Sequence, residues 1–186
     1  MHIVNQVFTQ RPAEARSEQE TAIFDRMEQL HIPHIRVDHD HADTMEDCLQ
    51  IEALLGAPVC KNLFLCNRQQ TEFYLLLMRG DKPFKTKFLS AQLGCSRLSF
   101  ADEGHMRVLL HTVPGSVSAL ELLFDTEQKI RLVIDKELLE EAFLAGHPGF
   151  STSTVKLTRE DLLRYVESTG HAPTCVELPD PRLTEE

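Results

Sequence analysis

Between residues 17 and 30 the apolar side chains Ile23, Met27 and Leu30 recur at helical spacing, with Phe24 alongside, and predict an amphipathic helix. "IPHIRV" (32–37), opened by Pro33 and rich in branched residues, reads as a short strand. Thr44 precedes "MEDCLQIEALLG"; Thr44-x-x-Asp47 has the form of a capping box and Gly56 marks a stop, so a second helix is predicted. "NLFLCN" and "EFYLLLM" are apolar runs separated by polar "RQQT", the pattern of a β-hairpin with a longer loop. Their near-continuous hydrophobicity predicts strands buried on both faces.

Further on, "TKFLSAQLG" is a short helix ending at Gly94, and Ser99-x-x-Asp102 is read as the cap of another through Met106, Leu109 and Leu110. Pro114-Gly115 breaks the pattern, so residues 112–120 are expected to form a loop. "KIRLVID" is a strand and a short helix follows it. "AGHPGFSTSTVKL" is a loop running into a strand. Thr158-x-x-Asp161 caps "REDLLRYVEST", which ends at Gly170, and "TCVEL" is a final strand. Strands and helices are interspersed without strict β-α-β alternation. One mixed α/β (α+β) domain is expected over residues 17–178, after an N-terminal extension (1–16) and before an acidic, fraying tail (179–186).

Length and composition fit that picture. The chain has 186 residues, 42% hydrophobic and 26% charged, enough for one domain with a sizeable core. No apolar stretch approaches the roughly 20 residues of a membrane span, and the N-terminus turns polar after Phe8, so a cytoplasmic protein is expected. The five cysteines form no Cys-x-x-Cys pair and several sit in apolar runs, as reduced thiols packed as small hydrophobes do. A net charge of −10 argues against a protein that coats a nucleic-acid backbone, while leaving room for contact with one RNA end through a local basic patch.

Phosphate-loop, dinucleotide and nucleophile-elbow motifs are absent. The most conspicuous cluster is "HIPHIRVDHDHAD", with His31, His34, His39 and His41 among Asp38, Asp40 and Asp43. If residues 37–41 are extended, His39 and His41 share one side, as metal ligands would, although the spacing matches no metal signature; solvated loop histidines are the alternative. Gly115 follows a proline among small residues, where bare backbone N–H groups could face a ligand. His147-Pro148, flanked by glycines, lies on a loop that could position water. Lys61-Asn62 opens an apolar strand, an unusual place for a hydrated ammonium unless its stem snorkels to solvent.

Together "KNLFLCN", "LSAQLGCSRLSFAD", "PGSVSAL", "VIDKELLEEAF" and "HPGFSTSTVKLTREDLLRYVESTGH" resemble, in order and spacing, the YbaK-like aminoacyl-tRNA editing domains, and among them the prolyl-tRNA synthetase associated (PrdX, ProXp-ala) branch. The resemblance runs from about residue 17 to 178. It implies a compact, mostly antiparallel mixed sheet or barrel flanked by helices. It also implies a trans-editing hydrolase that removes alanine wrongly attached to proline tRNA, without cofactor or metal. By motif, Lys61, Asn62, Gly115 and His147 would be catalytic, and Thr44, Ser116, Val117 and Pro148 would bind substrate. The implied partner is the acceptor end of mischarged tRNA(Pro), with a synthetase or elongation factor as candidates for handing it over, and neither DNA nor membrane. Where relatives often carry His-Pro-Pro, a proline and an asparagine, this chain has His39-Asp40-His41, Ala119 and Ser151. A non-catalytic module that captures an aminoacyl end, or a metal-dependent hydrolase built on the histidine cluster, are the alternative readings.

Overall fold

The computed structural model describes residues 2–42 and 45–183. In chain order its elements are β1 (Ile3–Phe8), α1 (Glu18–Gln29), β2 (Ile35–His39), α2 (Met45–Leu55), β3 (Cys60–Cys66), β4 (Phe73–Arg79), α3 (Thr86–Leu93), β5 (Ser99–Phe100), α4 (Glu103–His105), β6 (Ile130–Asp135), β7 (Phe143–Gly146), β8 (Ser153–Thr158), α5 (Arg159–Ser168) and β9 (Thr174–Val176). The strands form two sheets, ordered β1-β2-β8-β7 and β5-β3-β4-β6-β9. The first is antiparallel throughout; in the second, β4-β6 and β6-β9 run parallel. A bridge between Val59 and Ala145, with the Ala145 N–H donating to Pro58 O at 3.0 Å, joins the sheets beside the start of β3. This is the mixed α/β architecture expected from the sequence.

The hydrophobic pattern explains the layers. Phe73, Leu75 and Leu77 on β4 point into a core between the sheets, shared with Ile23, Phe24 and Met27 of α1 and Tyr165 of α5. Tyr74, Leu76 and Met78 point the other way, into a second core with Leu89 of α3. All six are buried, which is why β4 reads as an unbroken apolar run rather than an alternating one. Helix α1 starts at Ser17, whose extended backbone and Oγ accepting from the Glu20 N–H at 3.0 Å make it an N-cap. Val37, Ile51, Leu55 and Val59 form a third cluster where α2 covers the first sheet.

Several boundaries differ from the sequence reading. The second strand begins at Ile35 and not at Ile32. The chain is still closing α1 there, with His31 left-handed (φ 52°) and the Ile32 N–H donating to Met27 O at 2.9 Å. Ser99 is no helix cap: it pairs with Cys66 in β5, and the Ala101 N–H on Phe64 O keeps the chain extended up to Asp102, which is the cap. After α4 the turn widens into a π-helical stretch, Met106–Leu110. Within the expected loop 112–120 a 3₁₀ turn, Ala119–Phe124, begins. Strand β1 lies in the segment read as an extension, and β7 in a stretch read as helix and loop. The Thr44 cap lies outside the described residues. Past β9, Leu178 is buried and its N–H donates to Asp135 Oδ1, so this part of the chain is tied down.

Candidate active site

A cleft of about 290 Å³ opens where the start of β3 faces the loops before the 3₁₀ turn and after β7. Its walls include Lys61, Asn62, Gly115, Val117 and His147, residues from three distant segments. Ser116 and Pro148 are buried beside them and do not line it. Thr44 lies outside the described residues. A larger depression of about 890 Å³, between residues 9–15 and α1, contains none of these side chains.

Lys61 lies opposite Met78 in the β3-β4 ladder, and its half-buried ammonium donates to the backbone carbonyl of Lys82 at 2.7 Å. Burial lowers its pKa from the ordinary lysine value, with Asp81 acting in the other direction. Lys82 is itself buried, 2.8 Å from Asp135 Oδ2 and 3.0 Å from Glu137 Oε1. Burial works to lower its pKa, but these two hydrogen-bonded carboxylates outweigh it and raise it. Successive strand residues alternate faces, so Asn62 leaves β3 on the side opposite Lys61, toward the core between the sheets. Its Nδ2 donates to the Cys60 carbonyl at 2.9 Å.

The two loops that carry Gly115 and His147 are laced together. Thr112 Oγ1 donates to Gly149 O, the Ser151 N–H to Ser116 Oγ, and Ser118 Oγ to His147 O. Glu121, fully buried, clasps both loops: Oε1 accepts from the Gly149 N–H at 2.8 Å and Oε2 from the Ser118 N–H. Burial pushes its carboxyl up to about 8, against the pull of these N–H donors. Gly115 has φ 85°, which a side chain would strain, and open space where a Cβ would point. Among the described residues its N–H is engaged in no hydrogen bond.

His147 is buried, with Nδ1 3.0 Å from Ser153 O and 3.1 Å from Thr154 Oγ1. Burial lowers its pKa to about 4, so the ring is neutral at physiological pH. A carbonyl can only accept, which assigns the proton to Nδ1 and leaves Nε2 as an acceptor on a residue that borders the cleft.

The histidine cluster does not converge. His39 is buried with its Nε2 2.9 Å from Thr154 Oγ1, so it is no solvated loop residue, whereas exposed His41 turns to Ser151 Oγ at 2.9 Å. His34 packs on Phe24 with ring centroids 5.1 Å apart, and His31 is exposed in the α1 stop. Among the described residues no three His, Cys, Asp or Glu side chains are grouped to hold a metal ion. No helix among them is long and apolar enough to cross a membrane.

Four supporting residues escaped the sequence reading. Glu121 had a readable signal, since Ser118-x-x-Glu121 is a capping box and both of its hydrogen bonds form. The Lys82–Asp135 pair and Thr154 had none, because their partners are distant in sequence.

Comparisons with known proteins identify the family and the fold. The model of the aminoacyl-tRNA editing domain family matches residues 39–165. The prolyl-tRNA editing protein ProX of Acetoanaerobium sticklandii is 30% identical over 157 residues, covering 84% of this chain and 96% of its own. The prolyl-tRNA synthetase associated domain-containing protein 1 of Danio rerio is 32% identical over 149 residues, covering 79% and 80%. The crystal structure of a protein proposed as a trans-editing enzyme for prolyl tRNA synthetase shares the fold, with a TM-score of 0.66 over 88% of this chain and 98% of that one, at 17% identity.

Proposed function

From its membership of the aminoacyl-tRNA editing domain family, to which this chain belongs, we propose that it is a trans-acting deacylase that hydrolyses the ester of mischarged tRNA(Pro), with alanine as the amino acid removed. The observation that carries this reading is the cleft at which Lys61, the Gly115 loop and His147 meet. Relatives named for prolyl-tRNA editing support the choice of tRNA.

The chemistry asks for little. An aminoacyl ester is already activated, and an oriented water can attack its carbonyl carbon. The developing oxyanion is met by the Gly115 N–H, with the Lys61 ammonium on the carbonyl or phosphate side of the acceptor end. His147 Nε2 accepts a hydrogen bond from the attacking water, and the ribose 2′-hydroxyl helps to hold that water. Collapse of the tetrahedral adduct releases the ribose 3′-oxygen, which takes up the proton, and free alanine. A neutral imidazole with a pKa of about 4 is a weak base, so His147 orients rather than deprotonates. Selection rests on volume: a small site admits the alanine methyl and excludes the proline ring.

The test is a panel of tRNA(Pro) charged separately with alanine, serine, cysteine and proline. Loss of the alanine ester with the proline ester spared supports the reading. Saturable binding of the charged end with no turnover would make the protein a capture module and sink the catalytic claim.

A further inference from the structure

Behind His147 lies a second histidine that the proposed reaction does not touch. His39, the last residue of β2, is buried, and its ring stands edge-on to that of His147 with centroids 5.8 Å apart. Thr154 on β8 lies between them, Oγ1 being 3.1 Å from His147 Nδ1 and 2.9 Å from His39 Nε2. Thr154 is itself fully buried.

Two backbone carbonyls fix the direction of this chain. His147 Nδ1 faces Ser153 O at 3.0 Å and His39 Nδ1 faces Asp40 O at 2.6 Å. Carbonyls accept only, so each Nδ1 carries a hydrogen. Burial lowers the pKa of both imidazoles, that of His147 to about 4, which favours the neutral ring with a bare Nε2. His39 Nε2 can then be satisfied by Thr154 only if the hydroxyl donates to it. Thr154 Oγ1 keeps its lone pairs, one of which receives His147 Nδ1–H. The order is His147 Nδ1–H to Thr154 Oγ1–H to His39 Nε2, and His39 Nδ1–H to the Asp40 carbonyl.

The captured hydroxyl has a consequence at the cleft. Ser153 O favours the Nδ1 proton from one side, but a threonine hydroxyl free to rotate could compete with it by donating to His147 Nδ1, which would move the ring proton to Nε2 and turn an acceptor into a donor. His39 removes that option by holding the hydroxyl hydrogen. We propose that His39 and Thr154 are positioning residues that lock His147 in the tautomer presenting a bare Nε2 to the attacking water. The role in hydrolysis rests on the deacylase reading above; the proton order does not.

The experiment uses the full chain in two readouts. Imidazole nitrogen NMR on the protein without substrate should give His147 as the Nδ1–H tautomer alone. His39→Leu should give a mixture, with kcat for the alanyl ester down roughly 10-fold, by analogy with the loss of a partner that orients a metal-bound histidine, and KM little changed. Thr154→Ser keeps the hydroxyl and should match wild type in both readouts. A wild-type His147 protonated on Nε2, or a folded His39→Leu protein with unchanged tautomer and kcat, would overturn the proposal. If wild type gives the expected spectrum but no hydrolysis, the network stands and the catalytic role assigned to it falls with the deacylase reading.

Discussion

The Lys61 ammonium is held by the backbone carbonyl of Lys82, at 2.7 Å, while the Lys82 ammonium is itself spent on Asp135. One lysine of the pair is thus architecture for the other. The Lys82–Asp135 pair pins the segment after β4, and that segment sets where Lys61 lies at the cleft edge. An ammonium has three donors, so Lys61 retains hydrogens for a ligand after this bond is made.

Removing the buried cation should therefore be costly. Lys82→Met leaves the Asp135 carboxylate buried with the Leu178 N–H but without its lysine, and should destabilise the fold by about 3–5 kcal/mol in urea denaturation. Adding Asp135→Leu should recover a large part of that loss. A loss within about 1 kcal/mol for the single variant would show that the pair is not what holds this segment.

Glu121 gives a pH signature. Burial raises its folded-state value to about 8, well above that of an ordinary carboxyl. An acid raised on folding contributes stability that is complete below its unfolded pKa and is lost as pH rises through its folded pKa. Its contribution should thus decline between about pH 4.5 and pH 8, and Glu121→Gln, which does not titrate there, should lack that decline. Urea midpoints measured across this range compare the two; parallel curves would contradict the assignment.

His147 predicts an absence in the activity profile. It is a base whose pKa burial lowers to about 4, so it is already neutral well below pH 6.5. The plot of kcat/KM against pH should show no inflection from His147 near 6.5, and any acid limb belonging to it should fall near 4. An inflection close to 6.5 that vanishes in His147→Asn would contradict the buried, neutral ring.

Charge makes a prediction about the RNA. A chain of net charge −10 has little with which to cover a phosphate backbone. The dependence of log kcat/KM on log salt should be shallow, corresponding to about two or three phosphates at the acceptor end. A slope several times steeper would mean a larger footprint on the tRNA.

Much of the fold could be read from local pattern. The β3-β4 hairpin and α1 form near where apolar spacing puts them, as do α3 with its stop at left-handed Gly94 and α5 with its Thr158 cap; the Ser17 cap of α1 was not read. What escaped was determined at a distance. The polar Asn5-Gln6 step obscures β1, which exists because β2 offers it an edge. Ser99 lost its capping role to a strand pairing with Cys66. Of the site, Lys61, Asn62, Gly115 and His147 were legible as odd residues in conspicuous places, and the cleft brings them together. The opposite faces taken by Lys61 and Asn62 follow from strand alternation and could have been stated in advance. The Thr154–His39 link could not, since it joins β8 to β2 across 115 residues of chain.

The central claim is that this cleft hydrolyses an aminoacyl ester with Lys61 at its edge. Single-turnover hydrolysis of Ala-tRNA(Pro) by wild type and by Lys61→Ala, with thermal unfolding of both, tests it most directly. Lys61 is half-buried and makes one hydrogen bond, so its loss should leave stability within about 1 kcal/mol while the hydrolysis rate falls by roughly 100-fold or more. A folded Lys61→Ala protein that cleaves the ester as fast as wild type would contradict the account.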